Sequence, residues 1–159
     1  MKAKNLIASA TLALLAAGCA TDVPDAVVEC SVPRSRPAPK GAALVGHEYG
    51  MKMSPIPLDA VQFTEQRIAN SVAVQALYAA RTPTETVQVT ARFVNCTEEP
   101  IAIRARTSFL KASQAPNEPI SAWQTVYLSP KATGIYTENS LGRGEVTNYL
   151  VELAGAGEK

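Results

Sequence analysis

Residues 87–109, VQVTARFVNCTEEPIAIRARTSF, contain two runs in which apolar and polar side chains alternate, separated by a polar segment. In the first run every odd-numbered residue from Val87 to Phe93 is apolar. In the second run, from Ile101 to Phe109, the odd-numbered residues are again apolar, with one threonine among them. Alternation with a period of two is typical of strands that bury one face. The stretch therefore predicts two half-buried β-strands.

The polar segment between the two runs predicts a turn, and hence a β-hairpin. If both apolar faces point to the core, Phe93 pairs with Ile103. Arg92 then lies opposite Arg104, and Arg106 follows two residues later. Like charges directly opposite each other are destabilising. This basic strip is therefore expected either to meet acidic neighbours or to bind an anionic partner.

The same alternation recurs at residues 72–78 and 146–153, and weaker strand patterns occur at residues 58–63, 121–128 and 134–137. Short strands separated by Pro, Gly, Asn and Glu turns predict an all-β fold, an antiparallel Ig-like β-sandwich of about seven strands. Residues 58–69 also fit a helical turn, and that alternative stays open.

Four regions are expected along the chain: a signal peptide (1–18), a lipidated N-terminus with a proline-rich tether (19–57), the β-sandwich (58–154) and a frayed end (155–159). Six of the eleven prolines lie between residues 20 and 57. Proline fixes its backbone and lacks an amide donor, so this region is expected to be an extended tether.

The N-terminal region has the pattern of a secretory signal, with Lys2 and Lys4 ahead of a short apolar run. That run has about a dozen residues, against the roughly 20 needed to span a bilayer. It ends in LAAGC, which resembles a bacterial lipobox and implies a lipid on Cys19. Residue 20 is Ala rather than Asp, which by the same resemblance favours the outer membrane over retention in the inner membrane. We expect the anchored protein on the periplasmic face of the outer membrane. The alternative is an ordinary secretory signal in which Cys19 has no role.

The remaining cysteines, Cys30 and Cys96, form an even pair once Cys19 is assigned to the lipid. In an oxidising compartment such a pair predicts a disulfide, and the alternative is two separate thiols. Loss of residues 1–18 would also leave 13 basic against 14 acidic residues, in place of the +1 charge of the whole chain. Neither value is typical of a nucleic-acid-binding protein.

The residues that carry chemistry are few. His47 is the only histidine, too few for a histidine-built zinc site, and it lacks the motif of a serine hydrolase. Glu98 and Glu99 lie in the turn before Pro100, and residues 142–144 form no phosphate-binding loop. The sequence therefore predicts a non-enzymatic protein with no metal, no small-molecule substrate and no cofactor apart from the covalent lipid.

The lone tryptophan, Trp123, is expected in the core, because a single Trp in a small sandwich commonly anchors the packing. An interface position is the alternative.

The order of features in residues 68–153 resembles the YcfL-type family of small Gram-negative lipoproteins. The resemblance lies in a strand that ends in an Asn-containing turn (87–97), an aromatic-bearing strand (101–110), a Trp strand that leads to a proline turn (123–130) and a final apolar strand (146–153). It implies a periplasmic β-sandwich of unassigned biochemistry, sometimes encoded near activators of peptidoglycan synthases. The family has no catalytic residues to carry over.

These observations predict a lipid-anchored module that binds or scaffolds a protein partner in envelope biogenesis. A lipoprotein subunit of a secretion or conjugation apparatus is the alternative. A weaker alternative is a binder of anionic envelope glycans through Arg92, Arg104 and Arg106.

Overall fold

The computed structural model describes Cys30, Ala42–Ala43 and residues 53–157. The expected signal sequence, Cys19, His47 and most of the expected tether lie outside the described residues. Within the described part, the helical segments are a 3₁₀ turn, Leu58–Ala60, and a short helix, α1 (Gln66–Ser71). The strands are β1 (Ala42–Ala43), β2 (Ser54–Pro55), β3 (Val61–Phe63), β4 (Val72–Arg81), β5 (Val87–Asn95), β6 (Ile101–Leu110), β7 (Gln124–Leu128), β8 (Thr133–Asn139) and β9 (Asn148–Gly155).

The strands form two sheets that enclose one core. In sheet A, β9 pairs with β6 on one side and with β1 and β3 on the other, and β7 pairs with the far side of β6. Sheet B has the order β2, β4, β5, β8, with every pair antiparallel. Apolar side chains of both sheets form a single buried cluster. The predicted all-β sandwich is confirmed; the β3–β9 pair is parallel and departs from a purely antiparallel arrangement.

The segment for which strand and helix both remained open contains both. The 3₁₀ turn Leu58–Ala60 leads directly into the short strand Val61–Phe63, and α1 begins at Gln66. Ile68 of α1 is fully buried against the core. Two short pieces of the expected tether, β1 and β2, also pair with the sheets.

The predicted hairpin between β5 and β6 is wrong. β5 pairs with β4 and β8 in sheet B, whereas β6 pairs with β7 and β9 in sheet A. The chain between them crosses from one sheet to the other. Phe93 and Ile103 are both fully buried in the common core, but not as ladder partners. Alternation alone does not distinguish the two arrangements, because the apolar positions face inward in both.

A buried asparagine at the end of β5 explains the crossing. The Asn95 side-chain amide donates to the carbonyl oxygens of Glu99 (2.7 Å) and Ser129 (3.1 Å), and more weakly to that of Leu128 (3.3 Å). Its carbonyl oxygen accepts from the backbone N–H and the hydroxyl of Thr97, at 2.9 and 2.8 Å. One fully buried side chain thus joins the end of β5, the crossing segment and the β7–β8 turn. This directs the chain away from its own strand and into sheet A.

Strand β4 contains an irregularity that the alternation did not predict. Its register with β5 shifts between the pairs Val74–Phe93 and Ala76–Arg92, which leaves Gln75 as an extra residue. A β-bulge moves the following side chains to the opposite face. After the bulge it is Leu77, not Tyr78, that is buried.

The two sheets approach closely where β7 passes β8. A Cβ atom on Gly134 would contact Leu128 Cδ2 and would lie 2.8 Å from Val126 Cγ1, so a larger residue at this point of β8 would require these two side chains to shift. A buried hydrogen bond of 2.9 Å also joins the sheets, between the hydroxyls of Thr107 in β6 and Tyr136 in β8. Burial is the main cause of the raised pKa of Tyr136. These contacts fix the position of β7, which carries the surface described below.

Replacement of Asn95 by alanine is expected to lower the free energy of unfolding by about 1–3 kcal/mol, because it removes the hydrogen bonds that this fully buried side chain makes with backbone carbonyls and with Thr97. Chemical denaturation of wild type and Asn95→Ala measures the difference. Asn139→Ala is the matched control, since that exposed side chain makes one weak hydrogen bond to Gln88 at 3.3 Å. Its effect should stay within about 0.5 kcal/mol. Equal stability of the two variants would contradict the role given to Asn95.

Candidate binding face on sheet A

The three arginines of the predicted basic strip do not share a surface. Arg92 is exposed on sheet B, between Ala76 of β4 and Ile135 of β8. Arg104 and Arg106 lie on the outward side of β6 in sheet A. The expectation of a continuous three-arginine face is therefore wrong, for the same reason as the hairpin: β5 and β6 belong to different sheets.

Trp123 is not a core residue. Its ring is half-buried on the outside of sheet A, with the Arg106 guanidinium carbon 4.3 Å and the Arg104 carbon 5.5 Å from the ring centroid. Distances of this size are typical of cation–π contacts. The prediction of a core position is corrected accordingly.

An extra residue in the segment before β7 accompanies this placement. Gln124 pairs with Ala105, and Ser121 exchanges hydrogen bonds with Thr107 at 3.1 and 2.9 Å. One residue of β6 lies between those two pairs, but two residues, Ala122 and Trp123, lie between them on the other strand. A bulge of this kind re-aims a side chain. Here the indole lies beside the arginines rather than in the core.

The two arginines of sheet A differ in their partners. Arg106 forms a bidentate ion pair with Glu152 of β9, at 2.8 and 3.1 Å. Arg104 donates from Nε to the carbonyl oxygen of Gly155 at 3.2 Å. Among the described residues, no carboxylate forms an ion pair with Arg104. The Arg106 guanidinium is thus held in place and its charge is balanced, whereas no described carboxylate balances the charge of Arg104.

Tyr127 completes this surface. It lies on the outward side of β7, beside Ala102 of β6, and 81% of its surface is exposed. We call the set Trp123, Tyr127, Arg104, Arg106 and Glu152 the Trp–Arg face. It combines two aromatic side chains, one balanced arginine and one unbalanced arginine on a three-stranded part of sheet A.

The other residues singled out from the sequence have structural roles. Glu98 pairs with Lys131 at 3.0 Å on the surface. The Glu118 carboxylate accepts from the backbone N–H groups of Leu141 (2.9 Å) and Gly142 (2.6 Å). These two N–H groups of the glycine-containing loop are therefore already bonded to a side chain of the protein.

Among the described residues, no three His, Cys, Asp or Glu side chains come together as metal ligands would. No helix in that part of the chain has the length and apolar character to cross a membrane.

Cys30 and Cys96 are both free thiols in the structure, yet they are neighbours. Cys30 is exposed, Cys96 is partly buried, and their side chains are within hydrogen-bonding distance. Burial, followed by the hydrogen bond and charge of Cys30, raises the pKa of Cys96 to about 11. The Cys96 carbonyl oxygen accepts from Lys131 at 3.0 Å. The disulfide remains a prediction.

Comparison with known proteins gives fold similarity alone. No family model matches the chain. No curated protein matches it either. The crystal structure of Campylobacter jejuni cj0090 is similar with a TM-score of 0.50 and 7% identity, over 60% of this chain and 97% of that protein. A DUF1425 family member from Shewanella sp. pv-4 is similar with a TM-score of 0.46 and 13% identity, over 55% of this chain and 81% of that one. The likeness to cj0090 agrees with the β-sandwich and says nothing of function.

Two members of the Trp–Arg face were absent from the sequence prediction. Glu152 lies between Val151 and Leu153 in an alternating strand, so its outward direction was predictable but its pairing with Arg106 was not. The exposure of Tyr127 follows from the alternation of β7, which buries Leu128. The weak strand pattern around these residues does not determine how β6 is aligned with β7 and β9. Without that alignment, the neighbours of a residue on the adjacent strands cannot be assigned.

In the reduced protein, alkylation of Cys96 by iodoacetamide should rise with a midpoint near pH 11, because the thiolate is the reactive form. The variant Cys30→Ser should lower this midpoint, since it removes one cause of the raised pKa but leaves burial. Timed alkylation and mass spectrometry of the Cys96 peptide measure both. An unchanged midpoint in Cys30→Ser would contradict the contact.

The same measurement on unreduced protein tests the bridge. If Cys30 and Cys96 are joined, Cys96 is alkylated only after reduction, and one linked peptide is lost in Cys96→Ser. Full alkylation of protein taken directly from cells, without reduction, would contradict the disulfide.

Proposed function

We propose that this protein is a lipoprotein on the periplasmic face of the outer membrane, and that its sandwich is a non-enzymatic module that binds a protein partner in envelope biogenesis. The Trp–Arg face is the single observation on which the binding function rests. The anchor rests on the lipobox-like LAAGC sequence that ends at Cys19. The resemblance to YcfL-type lipoproteins belongs to the same proposal.

The composition of the face supports a protein partner. Trp, Tyr and Arg are the residues most enriched among those that contribute strongly to protein–protein binding. Large aromatic side chains bury much area at a small entropic cost, because they have few rotatable bonds. Tyr127 is 81% exposed, so its ring is available for such burial.

The face is also held in place before any partner arrives. Glu152 fixes the Arg106 guanidinium by two hydrogen bonds, and the same guanidinium packs on the Trp123 ring at 4.3 Å. All three side chains belong to, or directly precede, strands of one sheet. A surface that is already ordered loses less conformational entropy on binding. The ordered side chains of this face therefore favour the binding of a protein partner.

The separation of the arginines weighs against a glycan-binding role built on all three. Arg92 is on sheet B, and Glu152 balances Arg106. One unbalanced arginine beside two aromatic rings fits a mixed apolar and polar protein surface better than a repeating polyanion.

In-cell photo-crosslinking tests the binding function. A benzophenone amino acid at Tyr127 is expected to give a discrete protein adduct. The same group at Ile135, which is 65% exposed on sheet B, is the matched control and should give none. Equal adducts at both positions, or none at Tyr127, would contradict binding through the Trp–Arg face.

Metabolic labelling with palmitate tests the anchor separately. Wild type should incorporate the label and fractionate with the outer membrane, whereas Cys19→Ser should do neither, because the acylated cysteine is lost. Equal labelling of Cys19→Ser would contradict lipidation at this residue.

A further inference from the structure

Among the described strands, β7 is paired on one side only and has one free edge. It pairs with β6 through all five of its residues, and no described strand pairs with its other side. The edge belongs to the strand that carries Tyr127 and directly follows Trp123. An unpaired edge presents main-chain donors and acceptors to a partner.

The hydrogen-bond pattern shows which main-chain groups are free. The Ala156 N–H donates to the Ala102 carbonyl, so even-numbered residues of β6 bond toward β9. Residues of an antiparallel strand alternate in the side to which their main-chain groups point. Odd-numbered residues of β6 therefore bond toward β7, and the bond from Ser121 N–H to the Thr107 carbonyl agrees.

The partners of these odd-numbered residues in β7 are Gln124, Val126 and Leu128. The N–H and C=O groups of the two residues between them, Thr125 and Tyr127, consequently point away from β6. No described residue makes a backbone hydrogen bond with either of them on that side.

On the outward side of this edge the charge is positive. On the inward side, the Glu138 carboxylate of β8 accepts from Gln124 Nε2 at 2.7 Å. Arg104 is the register partner of Thr125, and its two Nη groups make no hydrogen bond with a described residue. A strand added beyond β7 would lie about 10 Å from β6, at twice the usual strand spacing. Arginine and glutamate side chains together span such a gap. Arg104 Nε bonds to the Gly155 carbonyl on the β9 side, so its guanidinium would have to turn toward β7 to meet an acidic residue on the outward side of the added strand.

We propose that the free edge of β7 receives an extended segment of the protein partner as an additional strand, with acidic side chains on the side of the Trp–Arg face. This proposal rests on the proposed protein-binding function and specifies its mode, which is β-strand addition. Main-chain bonds to Thr125 and Tyr127 would supply the pairing. Contacts with Trp123, Tyr127 and Arg104 would determine which side chains of the partner segment are preferred.

A second copy of this chain is the less suitable occupant. In a symmetric pairing of β7 with itself, both Trp–Arg faces lie on the same side of the joined sheet. Each copy would then bring an unbalanced Arg104 to the shared surface. The two Arg104 side chains would lie three strand spacings apart, about 14 Å, and neither copy would supply a carboxylate to the other. An acidic segment, in contrast, balances this charge.

Trp123 provides the readout, because it is the only tryptophan of the chain. The probe is a synthetic heptapeptide in which valine alternates with glutamate, with every second amide methylated so that it pairs through one edge only. Titration should change the Trp123 emission to saturation, and a lysine-for-glutamate peptide should not. Arg104→Gln should weaken the binding about threefold to tenfold. Equal binding of both peptides, or of neither, would overturn the proposal.

The variant Thr125→Pro tests the strand pairing itself. Proline removes an N–H that points away from β6, so the bonds within sheet A are kept. The matched control is Thr137→Pro in β8. The bond from Ser140 N–H to the Val87 carbonyl places Thr137 among the outward-pointing residues of that edge. Peptide binding should be lost in Thr125→Pro and kept in Thr137→Pro; loss in both or in neither would overturn the proposal.

Two further outcomes separate this inference from the function on which it rests. A Tyr127 adduct in cells that persists in Thr125→Pro would overturn strand addition and leave protein binding intact. Absence of the adduct in the otherwise wild-type chain would overturn protein binding as well. A dimer in light scattering that Thr125→Pro dissociates would assign the edge to a second copy and overturn the acidic partner segment.

Discussion

The buried hydrogen bonds of Asn95 are the constraint on which the rest of the structure depends. Its side-chain amide and carbonyl groups join the end of β5 to the crossing segment and to the β7–β8 turn. Through them β5 ends in sheet B and β6 starts in sheet A. Because β6 lies in sheet A, its outward residues Arg104 and Arg106 meet β7 and β9 instead of Arg92. The Trp–Arg face is therefore a consequence of this corner.

Much of the fold was predictable from the alternation of apolar residues, since it depends on burial of one face and on nothing further. The assignment of each strand to one of the two sheets was not predictable, because a strand buries the same residues whether the next strand lies beside it or across the core. The bulge at Gln75 was also outside the pattern, since a single extra residue leaves two short alternating runs that look like one. Asn95 itself carried a signal: a polar residue at the buried end of a strand requires partners.

The face was less predictable than the fold. Its charges were found from the sequence as outward residues of an alternating strand, but their neighbours depend on register. Trp123 is expected in the core because a single tryptophan in a small sandwich commonly anchors the packing, whereas an extra residue before β7 places it outside. Arg106 in turn covers part of the indole, and Glu152 balances that arginine. A cationic group and a carboxylate thus make it possible to place a large apolar ring on the surface.

The short length of β7 limits the tendency of its unpaired edge to aggregate. An exposed, long and flat edge strand is a template on which copies stack and aggregate. β7 has five residues, with the extra residue of the Ala122–Trp123 segment at one end and Pro130 shortly after the other. Irregularities and proline of this kind stop the growth of a sheet. The edge is therefore a poor template for the stacking of further copies.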